Sequence, residues 1–399
     1  MDTTLRELAD LALRWTHVVA AIMWIGNSLL FNWLDRNLRP SPTPAAGEQG
    51  EIWLLHSGGF YHAAKTQLLG SALPRPLHWF KWQAYTTWLS GACLLIVVYY
   101  LGGAALLLPP GSPLSPRAAV AVGAGAIVAS LVVYNALCAT PLLRSPATMA
   151  AIGLAWIAGL AYGLTQVFSA RAAFLHIGAT LGTIMAGNVF LTIIPSQRQL
   201  VAAVAAGRGA DPRLAGQAKR RSIHNNYLTF PVIALMLSGH FPELYGAPWS
   251  WLVLLVIVLA GAGVRHWMNV RFTRPRWIPA LAATAAAALG ALYFVAARPL
   301  APTPAAAATS AGPVTFAEAQ AVVQKRCAVC HSATAADRTF GAAPAGVAFD
   351  RPEQIRALAP RIRVRAVVTR TMPPGNKTWI TPEERAVLGR WVEEGARLR

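Results

Sequence analysis

Hydrophobic residues are gathered into eight long stretches that are separated by more polar connections. A helix needs about 20 apolar residues to cross the roughly 30 Å of hydrocarbon in a bilayer. Six stretches reach this length readily, and two, 225–241 and 249–270, are shorter or carry polar ends. The pattern predicts an all-α fold with an eight-helix transmembrane bundle over residues 1–298. The predicted spans are residues 11–31, 84–108, 118–139, 147–168, 172–194, 225–241, 249–270 and 277–297.

The polar connections predict how this bundle is oriented. Lys and Arg are concentrated in every second connection, as they are in cytoplasmic loops, so both ends of the bundle are expected in the periplasm of a bacterial inner membrane. The first stretch carries Arg14 and His17 and lacks a cleavage-type ending. It is therefore predicted to be a retained helix and not a signal peptide.

The composition agrees with a membrane protein. Of the 399 residues, 55% are hydrophobic and only 13% are charged, which is too apolar for a soluble protein. The net charge of +19 does not predict nucleic-acid binding, because the cations lie between apolar stretches, and membrane lipid is the expected partner. Cys93 and Cys138 lie in apolar stretches and are expected to be small buried side chains, so no disulfide framework is predicted.

A second domain is predicted after the last apolar stretch. Residues 299–313, PLAPTPAAAATSAGP, are rich in Pro and Ala and predict a semi-extended linker. Thr315 with Glu318, and Thr381 with Glu384, form the capping-box pattern that begins a helix. A small helical domain is therefore expected over residues 314–399.

The sequence Cys327-Ala-Val-Cys330-His331 is the pattern for covalent attachment of one haem c. Two thioethers require cysteines on one turn, and the next histidine then lies under the iron as its proximal ligand. Met372, in RTMPPGN, is expected as the sixth ligand because the prolines stiffen its loop. A zinc site or a chance match are the alternatives. Helices on both sides of such a motif favour a class I-type cytochrome c, attached outside the cytoplasm as the predicted orientation requires.

Two histidines lie within predicted spans at a similar depth, His17 in the first and His176 in the fifth. An ionisable residue inside a membrane must be paired or ligated. Each is followed by a Gly-Asn pair, at 26–27 and at 187–188, which indicates a weak parallel 4+4 repeat. Such a repeat would bring the imidazoles face to face and predicts a bis-histidine haem b. Hydrogen bonding between helices is the alternative.

A cluster of polar and aromatic residues is predicted at the cytoplasmic side of the bundle. It combines imidazoles, amides, ammonium groups and indoles, a mixture that suits a planar anionic heterocycle. Anchoring at the membrane interface, contact with lipid headgroups, or a second haem b are the alternatives. The residues are His56, His62, His78, His224, His266, Lys65, Lys81, Trp82, Gln83, Asn225 and Asn226.

Four motifs together resemble the membrane-bound, cytochrome c-linked urate oxidase family, also called urate hydroxylases of the PuuD type. They are GGFYH, LHWFKWQAYTTWLSG, HIGATLGTIMAGN and IHNNYLTFPVIALMLSGHFP, and the resemblance runs over essentially the whole chain. The spacing of His17, Trp24 and Gly26 also resembles the first helix of small membrane haem proteins such as the HemJ-type protoporphyrinogen oxidases. This second resemblance supports a haem b at His17.

The family resemblance implies that the chain oxidises urate to 5-hydroxyisourate in bacterial purine catabolism, with water supplying the oxygen. Electrons would leave through haem b and haem c to the respiratory chain, by way of a terminal oxidase or a soluble cytochrome c. The catalytic residues then expected are His224 or His62 as the base, together with Lys81. The substrate-binding residues then expected are Asn225, Asn226, Tyr227, Trp82, Gln83 and His56.

Two other functions fit the residues alone. A quinol:cytochrome c oxidoreductase would take electrons from the lipid phase and would reduce haem c without urate. A cytochrome-tagged permease or sensor would use its membrane histidines to handle a metal or a haem in transit. The residues thus predict a redox membrane protein more strongly than they predict its substrate.

Overall fold

A computed structural model describes residues 3–68, 73–101, 106–109, 112–140, 145–208, 211–247, 249–296, 313–337, 343–373 and 376–398. Within these ranges the chain forms a mostly helical bundle followed by a smaller C-terminal domain. The predicted linker 299–313 lies outside the described residues except for its last position.

The bundle consists of long helices joined by shorter connections. Two π-helical turns extend them: π1 (Ile96–Tyr100) follows α2, and π2 (Asn188–Ile193) joins α5 to α6. The helices are α1 (Thr3–Asn37), α2 (Trp82–Leu95), α3 (Pro116–Ala139), α4 (Pro146–Val167), α5 (Ala170–Gly187), α6 (Ile194–Ala205), α7 (Pro212–Leu237), α8 (Pro242–Tyr245), α9 (Ser250–Val270) and α10 (Trp277–Ala296).

Six helical segments within the described ranges are long and apolar enough to cross a membrane, which supports the prediction of a membrane protein. The other two predicted spans, 84–108 and 225–241, correspond to α2 with π1 and to α7. The bundle of eight spans therefore stays a prediction. The six segments are Leu5–Asn37, Pro116–Ala139, Pro146–Val167, Ala170–Ala205, Ser250–Val270 and Trp277–Ala296.

Three bundle helices begin at a capping residue followed by proline. Ser115 caps α3, Ser145 caps α4 and Asp211 caps α7, and each side chain accepts a hydrogen bond from a backbone N–H of the first turn. Proline suits the next position because its missing N–H would have no partner there. The cap at Asp211 starts α7 well before the predicted span 225–241, so the polar run ahead of that span is helical.

Helix α5 lies at the centre of the bundle. Most of its residues are buried, and it packs against α2, α3, α4, α7 and α8. Its glycines permit this contact, since a Cβ at Gly187 would lie 2.6 Å from the Cδ1 atom of Leu131. Helix α10, in contrast, has no buried residue among those described. Side chains of α5 are therefore well shielded from lipid.

A β-hairpin between α1 and α2 corrects the all-α expectation. Strand β1 (Glu48–His56) pairs antiparallel with strand β2 (Gly59–Thr66). Ser57 and Gly58 link the strands with φ values of 50° and 77°, as a type I′ turn requires. The prediction missed the hairpin because its apolar residues form a run too short to span a membrane.

The C-terminal domain is a small helical unit. Both predicted capping boxes are confirmed, with reciprocal bonds between Thr315 and Glu318 and between Thr381 and Glu384. The first and last helices pack together around Trp391, which is 1% exposed. The helices are α11 (Phe316–Arg326), α12 (Pro352–Ala357), α13 (Ala359–Ile362), which π3 (Arg363–Val368) continues, and α14 (Pro382–Glu393).

A half-buried ion pair ties α11 to α14. The Nε atom of Arg326 lies 3.0 and 2.9 Å from the two carboxylate oxygens of Glu384. Burial alone would raise the pKa of Glu384, but hydrogen bonds from Arg326 and from the backbone of Thr381 hold it below the ordinary value. The carboxylate therefore remains charged inside the domain.

Candidate functional site

The bundle has two ends with different neighbours. At the hairpin end, α1 and α2 lead into the β-hairpin, and Ala84 packs against Val189 and Ile194. At the C-domain end, α8 contacts π3 of the C-terminal domain. Helix α5 runs from the C-domain end to the hairpin end, so it connects the two ends of the bundle.

A network of hydrogen-bonded amides lies inside the bundle near the hairpin end. Asn188, the first residue of π2, donates to the side-chain oxygen of Asn225 at 2.8 Å and to the hydroxyl of Tyr134 at 2.9 Å. Asn225 donates to the carbonyl of Met185 at 2.9 Å, and Arg221 donates to the Oδ1 atom of Asn188 at 3.1 Å. Both asparagines are buried, so the network places fixed polar groups within the bundle.

His224 joins this network through Tyr134. Its Nδ1 atom lies 2.8 Å from the Tyr134 hydroxyl, which also accepts a hydrogen bond from Asn188. The hydroxyl proton is therefore available to Nδ1, and this assignment places the imidazole proton on Nε2. The Arg221 guanidinium lies 4.8 Å from the centre of the Tyr134 ring. His224 is thus a half-buried imidazole connected to a hydroxyl group that can relay a proton.

Arg265 is a second polar centre, on α9, and is only 2% exposed. Its Nε atom donates to the Oδ1 atom of Asn226 at 3.0 Å, and Asn269 donates to the same oxygen at 2.6 Å. The Oδ1 atom of Asn269 is buried without a hydrogen-bond partner in the described part of the chain. No carboxylate of the described residues forms an ion pair with Arg265. A buried guanidinium in this state favours an anionic ligand.

The predicted substrate-binding residues of α7 all lie in or beside these two centres. Tyr227 follows Asn226, and its hydroxyl lies 2.9 Å from the Nδ1 atom of His266 on α9. The two rings stack with centroids 6.1 Å apart. His224 and Asn225 thus contact α3, α5 and π2, whereas Asn226 and the Tyr227–His266 pair contact α9 on other sides of α7.

The predicted histidines of the hairpin lie elsewhere and are exposed. The Nε2 atom of His62 pairs with the carboxylate of Glu51 at 2.8 Å, and the His62 ring stacks 4.6 Å from Trp53. The Nδ1 atom of His56 lies 3.0 Å from the hydroxyl of Ser57. Over the described ranges, no hydrogen bond links either histidine to the amide network.

Lys81, Trp82 and Gln83 lie at the start of α2. The Lys81 ammonium is 5.5 Å from the Trp82 ring centre. Trp82 and Gln83 line an open, mostly apolar groove of about 450 Å³ between α1 and α2, together with Trp15 and Met23. The Oε1 atom of Gln83 is buried there without a partner among the described residues. These three residues therefore belong to the seam between α1 and α2.

His176 lies at the C-domain end of α5 and is 0% exposed. Its Nδ1 atom donates to the carbonyl of Ala172 at 2.8 Å, which leaves Nε2 as the acceptor of a 3.0 Å hydrogen bond from Tyr100. The rings of Phe168 and Tyr99 have centroids 4.9 and 6.1 Å from that of the imidazole. The histidine is thus surrounded by aromatic side chains.

His17 of α1 packs against α2. Its Nδ1 atom lies 2.8 Å from the carbonyl of Thr87 and 3.2 Å from the hydroxyl of Ser90. A Cβ at position 91 would lie 2.8 Å from the imidazole Cε1 atom, so Gly91 is needed for this close approach. The bond to the carbonyl places the proton on Nδ1 and the lone pair on Nε2.

The two imidazoles do not form a bis-histidine site in this arrangement. Gly91 packs against His17, and Tyr100 bonds to His176. These two positions lie roughly 13 Å apart along the helix formed by α2 and π1. The Nε2 atom of His176 is hydrogen-bonded to Tyr100 and would lie 2.7 Å from a Cβ at Gly123. A haem b between the two histidines requires Tyr100 to release Nε2, so this pair of ligands stays a prediction.

The haem attachment motif lies on the turn after α11. The N–H groups of Cys330 and His331 both donate to the carbonyl of Cys327, at 3.1 and 2.9 Å. The Nδ1 atom of His331 lies 3.1 Å from the carbonyl of Val347, which fixes the ring and leaves the lone pair on Nε2. Burial raises the pKa of the Cys327 thiol to about 12. Two thiols on one turn beside an oriented imidazole fit a covalently held haem.

The loop of Met372 is fixed on two sides. Its N–H donates to the carbonyl of Arg365 at 3.0 Å, and its carbonyl accepts from the buried Arg385 at 2.9 Å. Burial lowers the pKa of Arg385 to about 10. The apolar core of the domain includes Val367, which packs against Gly389 of α14. The loop is therefore held in place, and Met372 as the sixth ligand of a haem c stays a prediction.

The sequence prediction missed part of the network at the hairpin end. Arg221 was expected in a cytoplasmic connection but lies within α7, and Arg265, near the end of the predicted span 249–270, was counted only among the cations that orient the bundle. Arg265 could have been found, because an arginine before the end of an apolar stretch must have a buried partner or a function. No pattern in the sequence identifies Tyr134 or Asn269, since their roles depend on contacts between distant helices.

The comparisons with known proteins bear on the bundle. No curated protein and no solved structure matches the chain. The family described as Urate oxidase N-terminal matches residues 3–297, which include every described helix from α1 to α10. This agrees with the urate oxidase resemblance of the four sequence motifs. Over most of its length, the chain belongs to the urate oxidase N-terminal family.

Proposed function

We propose that this chain is a membrane urate oxidase that converts urate to 5-hydroxyisourate and delivers electrons to a haem c of its C-terminal domain. The family match over residues 3–297 supports urate as the substrate, and the motif from Cys327 to His331 supports the haem. Urate and water together yield 5-hydroxyisourate, two protons and two electrons. The reaction therefore needs an electron acceptor but not molecular oxygen as a reactant.

The observation that carries this proposal is the buried Arg265 without a carboxylate partner among the described residues. Urate is a planar anion whose edges alternate between N–H and C=O groups. A guanidinium supplies charge and a planar fork of donors to such an edge. Asn226 and Asn269, which already contact each other beside Arg265, supply further donors and acceptors. The set therefore matches both the charge and the shape of the substrate.

His224, in the neighbouring amide network, is the residue that we assign as the base. Its half-buried imidazole is connected to Tyr134 and Asn188, so a proton taken from urate or water can be shared along a short relay. His62 and Lys81, which the sequence also predicts to be catalytic, and His56 lie closer to the surface of the hairpin end. There they are better suited to attracting the urate anion than to removing a proton within the bundle.

The C-terminal domain supplies the acceptor. Haem c, when bound, accepts one electron at a time, and ligation by His331 and Met372 favours acceptance because a thioether ligand raises the reduction potential. The protein holds the ligands in place by the bonds of His331 to Val347 and of Met372 to Arg365. From this haem, electrons are proposed to reach a terminal oxidase or a soluble cytochrome c of the respiratory chain.

The proposed orientation places the hairpin end in the cytoplasm and the C-terminal domain in the periplasm. Lys and Arg residues are concentrated towards the hairpin end, as the positive-inside rule requires. Urate would then bind from the cytoplasm, and the electrons would leave on the opposite side of the bacterial inner membrane. A haem b held by His17 and His176 would shorten the path of the electrons across the membrane. It remains part of the prediction, and it requires Tyr100 to release the Nε2 atom of His176.

A quinol-fed reaction is the second candidate function. The open apolar groove between α1 and α2 favours it, because a quinol ring can lie in a groove of about 450 Å³ and Gln83 offers an acceptor without a partner among the described residues. In that case the same haem c would be reduced from the lipid phase, without urate.

One experiment separates these candidates. The purified full-length protein is first analysed by pyridine haemochrome spectra, which distinguish b-type from c-type haem. Urate or a reduced quinol is then added without oxygen, and the c-type absorption band is followed. Reduction by urate with formation of 5-hydroxyisourate supports the proposal, whereas reduction by quinol alone supports the second candidate. In parallel, retention of full b-type haem by both His17→Ala and His176→Ala would exclude these two ligands.

A further inference from the structure

An arginine of the C-terminal domain contacts the bundle. The Nη1 atom of Arg365, in π3, donates to the hydroxyl of Tyr245 at 2.6 Å. Tyr245 ends α8 and is 0% exposed, so the bond is made at the base of a buried contact. Thr371 also lies near the Tyr245 hydroxyl, which brings a second residue of the Met372 loop to the same place. The junction is therefore formed by the side of the domain that carries Met372.

The junction is connected directly to the proposed haem ligand. Arg365 accepts a hydrogen bond from the N–H of Met372 through its carbonyl, at 3.0 Å, while its side chain donates to Tyr245. Arg363, two positions earlier in π3, instead pairs with Glu393 of its own domain at 3.1 Å. One arginine of π3 thus contacts the bundle, and the other pairs within the C-terminal domain.

The bundle places its aromatic cluster beneath this junction. Tyr245 shares one hydrophobic core with Tyr99 and Phe168, and both of these rings neighbour His176. The Tyr99 hydroxyl is buried without a hydrogen-bond partner in the described part of the chain. The residue that contacts Arg365 therefore shares its hydrophobic core with the aromatic rings around His176.

We propose that the contact between Tyr245 and Arg365 is the docking site for electron transfer, through which the Met372 edge of the C-terminal domain receives electrons from the bundle. This inference rests on the proposed function, because urate supplies the electrons. Each transfer moves one electron and breaks no bond. The linker keeps the domain at high effective concentration, so a small contact is sufficient to select the productive orientation.

The test compares Arg365→Gln with Arg363→Gln, which removes an equal charge from the same π-helical turn. Haem c reduction after rapid mixing with urate, without oxygen, should slow about tenfold in Arg365→Gln and stay within about twofold of the original rate in Arg363→Gln. Urate turnover with a small diffusible dye, which does not need the junction, should be equal in both. An equal rate of haem c reduction in the two variants would overturn the proposal.

A second measurement does not depend on urate. Phe241 is 54% exposed beside α8, and a membrane-impermeant fluorophore attached to Phe241→Cys reports the distance to the haem by energy-transfer quenching. Quenching should be strong in the original protein and in Arg363→Gln, and weaker in Arg365→Gln. Unchanged quenching in Arg365→Gln would show that the contact does not dock the domain.

Two further outcomes are distinguishable. If urate reduces no haem in the original protein, the proposed function fails, and the quenching comparison still decides whether the contact docks the domain. If Arg365→Gln loses its haem, Tyr245→Phe replaces it, because this variant removes the same hydrogen bond and leaves the C-terminal domain unaltered. Slower reduction of haem c by urate in Tyr245→Phe, with an unchanged haem c potential, supports the proposal. An unchanged rate of haem c reduction overturns it.

Discussion

The two ends of the bundle hold buried polar groups of different kinds. At the hairpin end, amides and a guanidinium bond to one another around Asn188, Asn226 and Arg265. At the C-domain end, the imidazole of His176 is enclosed by tyrosine and phenylalanine rings and has one side-chain hydrogen bond, from Tyr100. The first set offers donors and acceptors that suit the edge of a polar anion, and the second offers polarizable rings but few groups that specify a ligand.

This difference teaches how one bundle can separate chemistry from electron delivery. Amide donors and acceptors that are fixed in place suit substrate recognition, because an incorrect ligand leaves them unpaired. Aromatic side chains tolerate small displacements of a neighbouring domain. Each of the following changes should therefore affect one end much more than the other.

The largest effect is expected from His224→Ala. Loss of a general base lowers kcat by about 10²- to 10⁴-fold, while substrate affinity should change little. Steady-state urate oxidation with a dye acceptor measures kcat and KM separately. His62→Ala is the matched control, because His62 pairs with Glu51 on the exposed hairpin and its loss should change the rate less than about twofold. Equal losses in the two variants would contradict the assignment of the base.

A smaller effect is expected from Arg265→Gln. The variant keeps polar groups but removes the buried charge, so kcat/KM for urate should fall about 100-fold, mainly through KM, as a charged hydrogen bond worth about 2–3 kcal/mol is lost. Urate titration under anaerobic conditions gives the affinity directly. Arg274→Gln, at an exposed turn after α9, should bind urate as the original protein does. Unchanged affinity for urate in Arg265→Gln would show that urate does not bind in this part of the bundle.

Tyr100→Phe tests the C-domain end. It leaves the Nε2 atom of His176 without its donor, so the free energy of unfolding of the bundle should fall by about 1–3 kcal/mol. Thermal unfolding in detergent measures this loss. The affinity for urate should not change, since the network of Asn188 and Arg265 lies at the other end. A large change in urate affinity would show that the two ends are not separate.

The smallest effect on the two ends of the bundle is expected from Glu384→Gln, because Glu384 lies in the C-terminal domain. Because the folded-state pKa of Glu384 is held low, its charge stabilises the C-terminal domain above the ordinary pKa, and this stability is lost as the pH falls through the lowered value. The variant should be less stable by about 1–3 kcal/mol at neutral pH, and the difference should vanish in acid. Unfolding curves of both proteins at several pH values provide the measurement.

Parts of this architecture follow from the sequence, and other parts depend on tertiary contacts. Capping at Thr315 and Thr381 was predictable because Ser or Thr with Glu three positions later is a local interaction. Asn225 and Asn226 were predictable as polar residues within an apolar span. The partners of these residues on α3, π2 and α9 were not, because they come from positions distant in the sequence. The hairpin was missed because its strands are shorter than any span.

The π-helical turns of the described chain have a consequence for length. Tyr100 ends π1, Asn188 begins π2 and Arg365 lies in π3, so each turn presents a residue to one of the regions above. A π-helical turn holds one residue more than an α-helical turn. Deleting a single residue there would restore regular α-helical spacing and remove the bulge that presents Tyr100, Asn188 or Arg365. At these three points the chain tolerates substitution better than any change in the number of its residues.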